Sequence, residues 1–114
     1  MRPVLLALPG SERQAADLAH ELGAEVGAIL FHRFPDDETY LRLQTPVAGR
    51  DVVLVCTLDR PDGKLLPLTF LADTARELGA SRIGLVAPYL AYMRQDRRFH
   101  DGEAVTSASF ARLL

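Results

Sequence analysis

Short, unbroken apolar blocks alternate along this chain with stretches in which apolar residues recur every three or four positions. The first block, Val4 to Leu8, is stopped by Pro9-Gly10 and predicts a strand buried on both faces. Ser11 then opens a capping pattern with Gln14 three residues on. Ala15, Leu18, Ala19 and Leu22 follow at helical spacing, and Gly23 is placed to end the helix. Val26 to Phe31 predicts a second strand, Thr39 to Leu43 alternates as a half-exposed strand does, and Val52 to Leu58 predicts another buried one.

Pro61-Asp62-Gly63 breaks the pattern. Pro67 lacks an N–H and is tolerable only in the first turn of the helix that follows. Leu68, Leu71, Ala72, Ala75 and Leu78 mark one face of that helix, closed by Gly79, and Arg82 to Ala87 is a strand ended by Pro88. Strands alternating with helices predict an α/β fold, a three-layer sandwich with a mostly parallel sheet. No repeat, low-complexity segment or interdomain linker interrupts it.

Thr106 is placed to cap a last helix whose inward side holds Phe110, Leu113 and Leu114, and there the sequence stops. A helix of about two turns is marginal by itself. Residues 1–114 therefore read as one domain cut within its last helix. A short protein that buries Leu113 and Leu114 in an oligomer contact is the alternative.

Composition narrows the class. Of the 114 residues 48% are hydrophobic, enough for a core, and 13 Lys and Arg stand against 15 Asp and Glu. The formal net charge of −2 argues against a protein held to nucleic acid chiefly by phosphates. The single cysteine, Cys56, forms no internal disulfide framework and fits a buried, inert thiol in a reducing compartment. No run reaches the roughly 18 apolar residues of a membrane span. Met1 to Pro9 has one basic residue and no small-residue cleavage site, so it does not read as a secretory leader. The expectation is a cytoplasmic protein with neither membrane nor nucleic acid as a partner.

Two segments carry candidate chemistry. Phe34-Pro35-Asp36-Asp37-Glu38 follows the second strand, and its clustered carboxylates repel unless a cation or hydrogen-bond donor is near. A loop beyond a strand's carboxyl end is a usual ligand position. An acidic turn set by Pro35 and Asp36 is the plainer reading. No other ligand cluster accompanies these carboxylates, so they are not assigned to a metal. Pro88-Tyr89-Leu90-Ala91-Tyr92-Met93-Arg94-Gln95-Asp96-Arg97-Arg98 again follows a strand. Arg94, Arg97 and Arg98 offer planar, permanently charged donors of the kind that match phosphate oxygens, and Asp96 is able to orient a neighbour. A solvated charged loop is the competing reading. His20, His32 and His100 stand apart without metal-pair spacing. The chain has neither the G-x-x-x-x-G-K-[ST] phosphate loop nor a nucleophile elbow, so any nucleotide is held by another device.

Taken in order, these two segments resemble the ribose-phosphate diphosphokinases, whose members carry F-x-D-G-E and, one strand-helix-strand unit later, P-Y-x-x-Y-A-R-Q-D-[RK]. The likeness runs from Val4 onward over essentially the whole chain. It implies a phosphoribosyltransferase-like fold, here an amino-terminal ATP-binding domain whose carboxy-terminal ribose-phosphate domain is absent. It also implies an enzyme that moves the β,γ-diphosphoryl group of Mg-ATP to the 1-hydroxyl of ribose 5-phosphate, yielding phosphoribosyl diphosphate and AMP. By position, Phe34 would stack on adenine, with Asp36 and Glu38 recognising its polar edge. Arg94 and Gln95 would hold the ATP phosphates, Arg94 as the catalytic charge, with Asp96 supporting them. Mg²⁺ enters with ATP. The first loop reaches a neighbouring subunit in the family, so a homo-oligomer is implied.

The departures matter. Asp37 replaces the loop glycine, where a positive φ would be strained for most residues, and Met93 replaces a small residue before Arg94. Pro46 and Ala48 stand where phosphate-activated members carry Ser and Arg, so that regulation is expected to be lacking. The ribose 5-phosphate loop, the mobile catalytic Lys and Arg, and the metal-binding His of the family fall beyond Leu114. The chain alone is therefore expected to be inactive. A non-catalytic regulatory or assembly module that keeps the fold and the oligomer contacts is the alternative.

Overall fold

The computed structural model describes residues 2–114, so Met1, the first residue of the apolar leading segment, lies outside the described residues. Strand β1 (Val4–Ala7) leads to helix α1 (Glu12–Leu22), then β2 (Glu25–Val26), β3 (Ile29–Arg33), β4 (Thr39–Leu43) and β5 (Asp51–Val55). Helix α2 (Asp62–Glu77), strand β6 (Arg82–Val86) and helix α3 (Thr106–Leu113) complete the chain. The strands β2-β1-β5-β6 form a four-stranded sheet, all in parallel, and β3 and β4 form a separate antiparallel hairpin.

The period-two alternation of side chains sorts the sheet into two faces. Leu5 and Val55 pack on Ala15 and Ala19 of α1. Val4, Leu6, Val52 and Leu54 pack on the other side with Leu68, Leu71 and Ala75 of α2. Each fully buried leucine contributes about 1.5–3 kcal/mol of transfer free energy, and Leu5 and Leu6 are both wholly buried. Helices on both faces make the expected three-layer sandwich, with the hairpin lying on the α2 side through Ile29, Phe31, Leu41 and Leu43.

The structure corrects several sequence expectations. The apolar block from Val26 to Phe31 is two strands rather than one: β2 pairs with β1, and the chain then leaves the sheet at Gly27. A Cβ on Gly27 would stand 2.5 Å from Leu6 Cδ2 and 2.8 Å from Val4 Cγ1, so only glycine lets the backbone pass this close. Helix α2 begins earlier than expected, with Pro67 in its second turn rather than its first. Ser11 does not cap α1 with its side chain; its Oγ accepts the N–H of Thr57 at 3.1 Å, and the Glu12 carboxylate accepts the Gly10 N–H at 2.9 Å. Gly23 closes α1 at φ 64° and Gly79 follows α2 at φ 95°, as their positions predict. Leu78, expected on the inward face of α2, is 51% exposed.

Helix α3 differs too. Thr106 is its first residue rather than its cap. Phe110 is buried, but Leu113 and Leu114 are 65% and 48% exposed, flanking a groove along Ile83 and Leu85 of β6. The inward position is taken by Phe110, whose ring packs on Tyr92 at 5.1 Å.

Candidate functional site

The carboxyl ends of β5 and β6 open onto a cavity of about 700 Å³. Its walls come from the Asp59–Gly63 loop, which leads β5 into α2, and from the loop after β6, which supplies Tyr89, Ala91, Tyr92, Met93, Arg94 and Gln95. Open parallel sheets take ligands at such carboxyl edges because the loops there are free to vary over a rigid scaffold.

Arg94 and Gln95 thus face one cavity, whereas Asp96 is exposed on the loop beyond and is not among the lining residues. The three neighbouring arginines do not converge. Arg97 lies over the Phe99 ring at 4.8 Å, and the second guanidinium at the cavity is that of Arg60, from the other loop. Arg60 was missed as a candidate, although the segment after β5 has the same placement beyond a strand that drew attention to the other two.

The Arg94 loop is tied to both helices beside it. The Tyr92 hydroxyl donates to Asp62 Oδ1 at the start of α2, which holds the phenol above its ordinary pKa. Its backbone takes φ 66°, a left-handed conformation that a bulky residue adopts only when its surroundings demand it. On the far side, Gln95 O accepts the Ser107 N–H at 3.2 Å and Gln95 Oε1 accepts the Thr106 hydroxyl at 2.8 Å. Glu103 closes the next turn, accepting the Phe99 N–H at 3.0 Å and the His100 N–H at 2.6 Å. Lys64 serves the other wall: its Nζ donates to Thr57 O at 2.9 Å and pairs with Asp59. That hydrogen bond holds the Asp59 carboxyl below its usual range. Cys56 lies behind, fully buried, and burial pushes its thiol up, away from reactive thiolate.

Phe34, Asp36 and Glu38 sit together elsewhere, at the tip of the β3–β4 hairpin, rather than directly beyond a strand of the parallel sheet as expected. The turn is closed by Phe34 N–H to Glu38 O at 2.9 Å and Asp37 N–H to Phe34 O at 2.8 Å, while Asp36 Oδ1 accepts the Glu38 N–H at 3.1 Å. Asp37 takes φ 71°, the left-handed conformation that the missing glycine would adopt freely. Phe34 is 43% exposed, edge-on to His32 at 5.1 Å and to Tyr40 at 6.2 Å. A smaller cavity of about 290 Å³ lies beside the tip end of the hairpin, between His32 and Arg33 on one side and Lys64 and Pro67 on the other. Gly63 lines both cavities, but Phe34, Asp36 and Glu38 line neither. Among the described residues no group of three or more His, Cys, Asp or Glu side chains converges as a metal would need. Nor, among them, is any helix long and apolar enough to cross a membrane.

Comparison with known proteins fits this geometry. Residues 4–114 match the family described as the N-terminal domain of ribose phosphate pyrophosphokinase. The ribose-phosphate pyrophosphokinase of Saccharolobus solfataricus is 45% identical over 82 residues, covering 71% of this chain and 28% of that protein. That of Methanobrevibacter smithii is 38% identical over 104 residues, 91% of this chain and 35% of that protein. The fold matches phosphoribosylpyrophosphate synthetase from Mycobacterium smegmatis with a TM-score of 0.89 at 24% identity, over 99% of this chain and 38% of that one. It matches a purine phosphoribosyltransferase from Pyrococcus horikoshii more loosely, with a TM-score of 0.58 at 16% identity, over 79% of this chain and 64% of that one. The chain spans about a third of the length of these pyrophosphokinase relatives. With a parallel sheet of the phosphoribosyltransferase type and a sequence match over nearly its full length, the chain belongs to the family of N-terminal domains of ribose-phosphate pyrophosphokinases.

Proposed function

We propose that this chain is the amino-terminal, ATP-binding part of an enzyme that transfers the diphosphoryl group of Mg-ATP to the 1-hydroxyl of ribose 5-phosphate. The products are phosphoribosyl diphosphate, a precursor in nucleotide biosynthesis, and AMP. The observation that carries this reading is the cavity at the carboxyl edge of β5 and β6 with Arg94 and Gln95 on its wall. In such a transfer the 1-hydroxyl oxygen forms the new bond to the β-phosphorus and gives up its proton to solvent, the bond from that phosphorus to the AMP oxygen breaks, and negative charge grows on the leaving oxygen. Little else is needed from the protein beyond alignment and positive charge. Arg94 supplies a forked cation for the phosphate oxygens, Gln95 supplies neutral N–H donors, and Asp96 supports the loop that carries them. Magnesium arrives as part of the nucleotide substrate.

Phe34, Asp36 and Glu38 take the adenine, the ring by stacking and the carboxylates by accepting its exocyclic N–H groups. The hairpin tip that carries them does not line the Arg94 cavity, so the tip serves the site of a neighbouring subunit in a cytoplasmic homo-oligomer. A second domain brings the ribose 5-phosphate, so the chain alone binds ATP weakly and turns nothing over.

Arg94→Ala in the complete enzyme tests the assignment. Turnover is expected to fall by about 100-fold or more, the scale of losing one preorganised charge contact, while the thermal midpoint stays put because Arg94 is exposed. Unchanged turnover removes Arg94 from the site. Formation of phosphoribosyl diphosphate by the purified 114-residue chain at an ordinary rate overturns the two-domain requirement.

A further inference from the structure

The loop that carries Arg94 and Gln95 meets α3 at its first two residues. Gln95 is held there twice, through its carbonyl by the Ser107 N–H at 3.2 Å and through its side-chain Oε1 by the Thr106 hydroxyl at 2.8 Å. A glutamine amide has one acceptor oxygen and two N–H donors, and it presents different chemistry depending on which end is engaged. With the oxygen occupied by Thr106, what remains is the nitrogen end, a donor face, on a residue that lines the same cavity as the Arg94 guanidinium. Turned over, the amide would offer oxygen lone pairs, which repel an anion.

Thr106 does not reach that cavity. It lines an adjoining cleft that shares Pro61, Asp62 and Tyr92 with that cavity. Its hydroxyl bonds to Gln95, so the direct route from that hydroxyl to a ligand beside Arg94 runs through the Gln95 amide. Its hydroxyl is also not what holds α3 in place, since buried Phe110 packs that helix onto Tyr92. Removing the hydroxyl alone leaves the helix anchored and releases the amide.

We infer that Thr106 is a positioning residue that turns the Gln95 amide nitrogen toward phosphate oxygens bound beside Arg94. This inference rests on the phosphate reading given above. It assigns to the start of α3, outside the Arg94 loop itself, a share in selecting an anionic ligand. Thr106→Ser keeps the function because serine retains the donor. Thr106→Val loses it, although the valine side chain has nearly the same shape.

The test uses the 114-residue chain labelled with nitrogen-15 and titrated with inorganic tripolyphosphate. In the unsubstituted chain the Gln95 side-chain amide resonances are expected to move on binding. Thr106→Val is expected to weaken tripolyphosphate affinity about five-fold and abolish that movement, whereas Thr106→Ser stays within about two-fold. A purely structural threonine lowers the unfolding midpoint in the valine variant but leaves affinity and the Gln95 shift unchanged, and that result overturns the inference. Arg94→Ala separates the two claims. If it weakens binding while Thr106→Val does not, only the positioning role falls. If it does not weaken binding, or the unsubstituted chain does not bind, the phosphate reading falls and takes this inference with it. Should the valine variant lose its dispersed spectrum, side-chain relaxation in the unsubstituted chain decides. A Gln95 amide restricted on the nanosecond scale supports the inference, and one as free as an exposed glutamine overturns it.

Discussion

The two loops that carry the candidate chemistry are held in opposite ways. The hairpin tip from Phe34 to Glu38 is organised by its own short-range bonds, backbone to backbone and Glu38 N–H to Asp36 Oδ1. The loop from Tyr89 to Gln95 makes its defining contacts with other elements: Asp62 on α2, Phe110 and Thr106 on α3. A self-contained tip on an antiparallel arm keeps its shape wherever the arm points, which suits a group delivered to another surface. A loop braced from both sides keeps its donors fixed relative to the sheet, which suits charge stabilisation, where misplacement of about 1 Å is costly. The same domain thus carries one self-organised tip on a separate antiparallel hairpin and one loop braced between two helices at the edge of the parallel sheet.

The strongest way to break this contrast is Phe110→Ala. Its ring is buried against Tyr92, and truncating such a ring costs about 3–5 kcal/mol. Urea denaturation of the chain is expected to register a loss of about that size. Hydrogen exchange then asks where the loss is felt: the Ser107 amide, bonded to Gln95 O, is expected to exchange much faster. The Phe34 and Asp37 amides, bonded within the hairpin turn, are expected to keep their local protection until the whole domain opens. Equal local loosening of both loops would show that the tip is braced from afar after all.

What was legible in the sequence follows the same division. Local signals were read correctly: the buried strand at Val4, the alternation from Thr39 to Leu43, the left-handed glycines at Gly23 and Gly79. The order of the two motif segments placed Arg94 and Gln95 on a loop beyond a strand, where they lie. The misses are contacts between residues far apart in the chain. Ser11 looked like a cap because its partner Thr57 is 46 positions away. Thr106 looked like a cap because nothing local reveals Gln95, 11 positions back. Arg60 carried no signal and Asp62 read as part of a mere break, because their place depends on which loop folds against them. Gly27 had no local signal at all; its necessity comes from the methyl groups of Val4 and Leu6 beneath it.

Gly27 offers the next test, at the root of the hairpin. An added methyl would press on Leu6 Cδ2 and Val4 Cγ1, side chains that are fully buried and have nowhere to retreat. Gly27→Ala is expected to destabilise the domain by about 1–3 kcal/mol, the ordinary cost of overpacking a core, measured as a fall in thermal midpoint by circular dichroism. Gly63 is the matched control, because a Cβ there meets nothing within 4 Å and the residue lies in the first turn of α2. Gly63→Ala is expected to be neutral or to stabilise by up to about 1 kcal/mol through helix propensity. If both substitutions behave alike, the close approach at Gly27 is not what joins the hairpin to the sheet.

The smallest expected effect probes the tip alone. Asp37 adopts φ 71° in the tip turn, and aspartate tolerates that conformation better than most residues but less freely than glycine. Asp37→Gly relieves the conformational cost and removes one of three adjacent carboxylates, while enlarging the entropy of the unfolded chain by an opposing amount. The net expectation is a gain of about 0.5 kcal/mol. Asp37→Ala removes the same charge but keeps a Cβ in the left-handed region, so it is expected to lose stability by about 0.5–1 kcal/mol. Opposite signs for the two variants would locate the effect in the backbone of the turn. A gain in both would locate it in charge relief, and the tip would then be a solvated acidic turn whose shape the chain does not depend on.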